Sequence, residues 1–178
     1  SVGILLTGAL HEDGVADFFD SLGGKDYSTR QKILKDSRLG SFGVLALIIV
    51  FMLKFLLLSG LEHPLALACG LISCLSLGRF SILLLVNYSD LSKQAGLTKH
   101  LKKVSRKTII LCGMFSMLWV IPAGLFAMIF MIILGYASIY FFSKFVVPFN
   151  RGLSGDILGL YVVFVELSSL LILTASFS

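Results

Sequence analysis

Sorted by apolar and polar positions, the chain is a series of long apolar runs separated by short polar, mostly basic segments. The run from Ser41 to Ser59 is just long enough to cross a bilayer, which takes about 20 apolar residues, and predicts a first span over 41–59. Gly60-Leu-Glu-His-Pro64 reads as a tight turn, and a second span follows over 65–88. After a basic loop over 89–107 comes an apolar stretch from Thr108 to Phe142, too long for one comfortable crossing and interrupted by Pro122-Ala-Gly124. It predicts a helical hairpin with spans over 107–121 and 124–142. A polar loop from Ser143 to Asp156 then leads to a last span over 157–177. The pattern predicts an all-α, polytopic helical membrane protein of about five transmembrane helices, forming a single integral-membrane domain over 1–178.

Composition agrees with that reading. The 178 residues are 57% apolar and 14% charged, with a mean hydropathy of +0.95, far from the usual globular mixture. The chain opens on Ser1 with a short apolar stretch that reads as the tail of a longer segment, so further sequence is expected upstream. Cys69, Cys74 and Cys112 lie scattered in apolar runs without a CxxC pair or a nearby histidine, which points to packing rather than zinc or disulfides.

Charge adds orientation. Of the 15 Lys and Arg, five fall between Lys25 and Arg38, six between Lys93 and Lys107, and two at Lys144 and Arg151. With five crossings these three segments share one side, whereas the turns at 60–64 and 122–124 carry none, a strong positive-inside signature. The basic face suits lipid contact or an anionic, phosphate-bearing substrate. Nucleic acid is not indicated, because the basic loop lacks interleaved aromatics and no binding module is present. Three ionisable residues sit within spans. Lys54, near the end of its span, is expected to snorkel to the interface, Arg79 to face the bundle interior or a cavity, and Glu166 lies in the last span.

Six of the ten acidic residues lie between His11 and Gly43. Asp13, Asp17 and Asp20 stand at i, i+4 and i+7, one face of a helix. Carboxylates so crowded repel one another unless a cation lies between them, and hard oxygen donors suit Mg²⁺ bound to a pyrophosphate. His11, without an orienting partner, is expected to be structural rather than a base.

The segments Thr7-Gly-Ala-Leu-His-Glu-Asp-Gly-Val-Ala-Asp17 with Asp20, Ile33-Leu-Lys-Asp-Ser-Arg-Leu-Gly-Ser-Phe-Gly43, Gly78-Arg79 with Tyr88 and Gly96-Leu97, and Gly152-Leu-Ser-Gly-Asp156 with Gly159 and Glu166 resemble the adenosylcobinamide-GDP ribazoletransferase family. The blocks occur in the family's order over nearly the whole chain. The sequence departs from the pattern at Ser21, usually glycine, at Glu12, usually apolar, and at Val163, often acidic; the family also extends further at the N-terminus.

The resemblance implies a Mg²⁺-dependent transferase of the cytoplasmic membrane of a bacterium or archaeon, its site facing the cytoplasm. It would join adenosylcobinamide-GDP to α-ribazole, or to α-ribazole 5′-phosphate, with release of GMP. On that reading Asp13, Asp17, Asp20 and Asp36 are the metal ligands, and Asp20 or Asp36 also accepts the proton of the attacking hydroxyl. Lys35 and Arg38 offset charge on the departing phosphate, while Ser37, Arg79, Asp156 and Glu166 contact substrate. A rival membrane phosphotransferase, of the CDP-alcohol type, carries an Asp-Gly-x-x-Ala-Arg core where this chain has Asp13-Gly-Val-Ala-Asp-Phe. A transporter would be expected to place its ionisable groups near the bilayer midplane rather than in one motif at the membrane face.

Overall fold

The computed structural model describes residues 8–34, 36, 38–89, 101–149 and 151–177. Helices account for nearly all of them: α1 (Leu10–Ser21), α2 (Tyr27–Ile33), α3 (Ser41–Ser59), α4 (Pro64–Tyr88), α5 (Arg106–Leu118), α6 (Gly124–Phe141), α7 (Val147–Phe149) and α8 (Gly155–Phe177). Local chemistry sets several starts. Pro64 occupies the first turn of α4, where its missing N–H is no loss. The Asp26 side chain caps α2 through the Thr29 N–H, and the Ser105 hydroxyl caps α5 through the Thr108 N–H.

Among the described residues four stretches are long and apolar enough to cross a membrane: Ser41–Ser59, Pro64–Tyr88, Ile121–Phe149 and Gly155–Phe177. The chain is thus a polytopic helical membrane protein. The predicted spans over 41–59, 65–88 and 157–177 agree with α3, α4 and α8 to within two residues. The predicted 107–121 span is α5, a helix of 13 residues, which at 1.5 Å per residue rises only about 20 Å. It runs antiparallel to α4, with Gly113 against the Phe80 ring and Ser116 donating to the Ser76 carbonyl. The break at Pro122 is a single 3₁₀ turn over Ile121–Ala123, and Gly124 follows it at φ 89°, a conformation open to glycine.

Beyond the break the helix runs further than expected. Instead of entering a polar loop at Ser143, the chain continues through a π-helical turn (Phe142–Val146) into α7. The physical reason is aromatic burial. Phe142 sits 3% exposed, its ring 4.6 Å from Tyr161 and 5.6 Å from Phe164, whereas Lys144 simply points outward.

α4 and α8 form the centre, each with half of its span buried, whereas α3 is 17% buried. The apolar face of α3, including Phe42, Ile49, Met52 and Phe55, is exposed as a lipid-facing surface requires. One end of the bundle gathers the polar elements. There Leu85 and Val86 of α4 pack with Val146, Val147, Leu153 and Ile157, Arg30 of α2 stacks on Phe149, and Arg151 stacks on Tyr27.

Candidate functional site

The acidic segment folds as the helix α1, which lies between α3 and α8 at the polar end and gives the aspartate spacing its shared face. Its seam with α8 is made of glycine. A Cβ on Gly14 would lie 2.8 Å from the Asp156 carbonyl oxygen, and one on Gly159 would lie 2.9 Å from the His11 carbonyl oxygen. The two backbones therefore touch, and that close approach brings Asp13 and Asp17 beside Asp156, the first-turn acid of α8.

Asp13 and Asp17 face a cavity of about 640 Å³ whose walls also include Glu12, Asp36, Arg38 and the α3 residues Leu47 and Phe51. Asp17 is pushed up to about 6, first by burial and then by the charges of Asp13, Asp156 and Asp20. Burial and crowding both disfavour its charged form. Such an arrangement calls for a cation.

Asp20 is held differently. Its carboxylate accepts the Gly40 N–H at 2.7 Å and the Gly43 N–H at 2.8 Å, so it serves as the cap of α3 in a segment with no hydroxyl or amide cap of its own. A side chain on Gly40 or Gly43 would overlap that carboxylate. Asp36, across the cavity, forms a bidentate pair with Arg38 at 2.7–3.2 Å. The Arg38 hydrogen bonds hold Asp36 down at about 2. Of the two, Asp17 is accordingly the better base and Asp36 a weak one. Lys35 and Ser37 lie outside the described residues, as do Gly96 and Leu97 of the block that begins at Gly78-Arg79.

Arg79 and Glu166 meet, but one level deeper. Arg79 pairs with one carboxylate oxygen of Glu166, and the Lys54 ammonium lies 2.8 Å from the other. Lys54 also lies 3.4 Å from Glu12. The expectation that Lys54 snorkels to the near interface is therefore replaced by an ion pair inside the bundle. Helical side chains lean toward the N-terminus of their helix, so Lys54 reaches back toward α1 rather than forward to the turn at Gly60. Gly78 makes room for the Glu166 side chain. Burial and the Arg79 charge hold His11 below the usual imidazole range, in keeping with a structural role.

Sequence reasoning missed the Lys54–Glu12 contact and the capping by Asp20. A partial signal for the first was present: Lys54, Arg79 and Glu166 stand in apolar runs with one unmatched positive charge, although Glu12 is hidden in the acidic motif.

Among the described residues no three His, Cys, Asp or Glu side chains form a ready-made metal cage. The donor set still fits Mg²⁺. That ion is usually held by one or two carboxylates together with substrate phosphates, and the unrelieved repulsion at Asp17 is what a divalent ion would remove.

No solved structure matches the chain significantly. Among proteins of known name, the chain is 35% identical over 182 residues to an adenosylcobinamide-GDP ribazoletransferase of Shewanella woodyi, covering 96% of this chain and 69% of that one. It is 35% identical over 169 residues to the enzyme of that name from Shewanella sp. strain ANA-3, and 34% identical over 170 residues to that of Shewanella baltica strain OS185. Of these two relatives the chain spans 62% and 63% of the length. The family model described as cobalamin-5-phosphate synthase matches residues 1–174. With its first and last motif blocks on one glycine-seamed helix pair and that match over nearly its full length, the chain belongs to the cobalamin-5-phosphate synthase family.

Proposed function

We propose that this chain carries the site that joins adenosylcobinamide-GDP to α-ribazole, or to its 5′-phosphate, and releases GMP. The observation that supports this best is a cavity lined by Asp13, Asp17, Asp36 and Arg38, with Asp156 close enough for its charge to act on Asp17. A hydroxyl oxygen of the ribazole attacks the phosphorus that remains with the cobinamide. The new P–O bond forms as the P–O bond to GMP breaks, and the pyrophosphate oxygen leaves with GMP. The work of the protein is positioning and neutralisation of charge.

Mg²⁺, when bound, would supply Lewis-acid neutralisation of the charge that develops on the leaving phosphate. Asp13, Asp17 and Asp156 are the residues that would hold it. The hydroxyl proton goes to a carboxylate of the same group. Asp20, whose oxygens are engaged by Gly40 and Gly43, and Asp36, held at about 2 by Arg38, suit that step less than the α1 carboxylates that face the cavity. Arg38, whose side chain is 88% exposed, can swing from Asp36 to the departing phosphate, a charge-assisted contact. The basic residues at this end, including Lys25, Lys32, Lys102 and Lys107, support a cytoplasm-facing site.

The test is GMP release from adenosylcobinamide-GDP by the full reading frame in detergent, with α-ribazole and Mg²⁺ supplied separately and together. Release that requires both supports the reading. Release without α-ribazole means hydrolysis, and no release from folded protein assigns the site to another phosphate ester.

A further inference from the structure

From the cavity wall inward, four helices each contribute one charge: Glu12 from α1, Lys54 from α3, Arg79 from α4 and Glu166 from α8. Their formal charges sum to zero. The Glu12 and Glu166 side chains are 10% and 6% exposed, and the second carboxylate oxygen of Glu12 is buried without a hydrogen-bond partner. Lys54 lies between the two acids, 3.4 Å from Glu12 and 2.8 Å from Glu166. Among the described residues this is the ion pair that ties α1 to the rest of the bundle.

α1 meets α8 by backbone contact across Gly14 and Gly159, beside a small apolar cluster that joins Val15 to Val163 and Leu160. Apolar packing of this kind brings helices close but is non-directional, and a buried polar contact is an attested way to specify register. Glu12 directly precedes Asp13, so whatever holds Glu12 sets where Asp13 and Asp17 stand relative to Asp156.

We propose that Lys54 is a positioning residue which, by bridging Glu12 to Glu166, fixes the register of α1 on α8 and so the geometry of the carboxylates at the cavity. The positioning role rests on the function proposed above; the ion-pair bridge does not.

The test compares Lys54→Met, Lys54→Arg, Glu12→Gln and the Glu12→Gln/Lys54→Met double variant in the full reading frame, reading thermal midpoint and the Mg²⁺ concentration that half-saturates GMP release. Lys54→Met should lower the midpoint and cut activity at least tenfold. Lys54→Arg should retain both. The double variant leaves the Arg79–Glu166 pair intact and no charge unmatched, so its midpoint should return toward wild type while its Mg²⁺ requirement stays several-fold higher.

A double variant with wild-type Mg²⁺ dependence would overturn the positioning role. One whose midpoint stays as low as that of Lys54→Met would overturn the bridge itself. A wild type that releases no GMP would instead count against the proposed function, and the midpoints would still judge the bridge.

Discussion

Asp17 is the residue at which burial and like charge act together. A carboxyl whose folded pKa rises to about 6 from 3.8 binds its proton more tightly in the folded state, so its ionisation works against the fold. The penalty is absent below about pH 4, develops between 3.8 and 6, and is complete above that. In Mg²⁺-free buffer Asp17→Asn should therefore melt about 2–4 °C higher than wild type at pH 7.5 and no higher at pH 4, as followed by thermal denaturation in detergent. Adding Mg²⁺ at pH 7.5 should stabilise wild type more than the variant. The helical spacing of Asp13, Asp17 and Asp20 was legible in the sequence. That Asp20 spends its oxygens on Gly40 and Gly43, 20 and 23 residues away, was not, because a cap across a loop leaves no periodic mark. Lys54 was misjudged for a related reason: its position along α3 was readable, but its partners on α1 and α8 depend on tertiary packing.

At the scale of elements, apolar run length located α3, α4 and α8 closely, because a bilayer-spanning helix is selected by length and hydropathy alone. It failed at Ser143 and Lys144, where two polar residues suggested a loop. There Phe142 packing on Tyr161 and Phe164 outweighs their polarity, and the helix continues to Phe149. The seam between α1 and α8 carries the sharpest consequence. Adding a methyl at Gly14 or Gly159 forces the two backbones apart, since the new atom would sit 2.8–2.9 Å from a carbonyl oxygen. Overpacking of this kind costs about 1–3 kcal/mol. Gly14→Ala and Gly159→Ala should each lower the thermal midpoint and raise the Mg²⁺ requirement, whereas Gly135→Ala, with no neighbouring atom within 4 Å of its added methyl, should change neither.

For the whole molecule, the acidic helix, the α8 start and the stacks of Arg30 on Phe149 and Arg151 on Tyr27 gather at one end, where the distribution of Lys and Arg predicts the cytoplasmic face. The turn around Glu62 and His63 lies at the opposite end. A single cysteine at Glu62 in a cysteine-free background should react with an impermeant maleimide from outside intact cells, whereas one at Lys32 should react only after permeabilisation; the reverse pattern would invert the orientation. The central claim is that carboxylates from α1 and α8, distant in sequence, form one Mg²⁺ site on a pyrophosphate. The most direct measurement is Mg²⁺-dependent GMP release by Asp156→Asn, with thermal denaturation establishing that the variant is folded. The account predicts that turnover falls at least a hundredfold and that added Mg²⁺ restores little of it. Wild-type turnover with an unchanged Mg²⁺ requirement would contradict it.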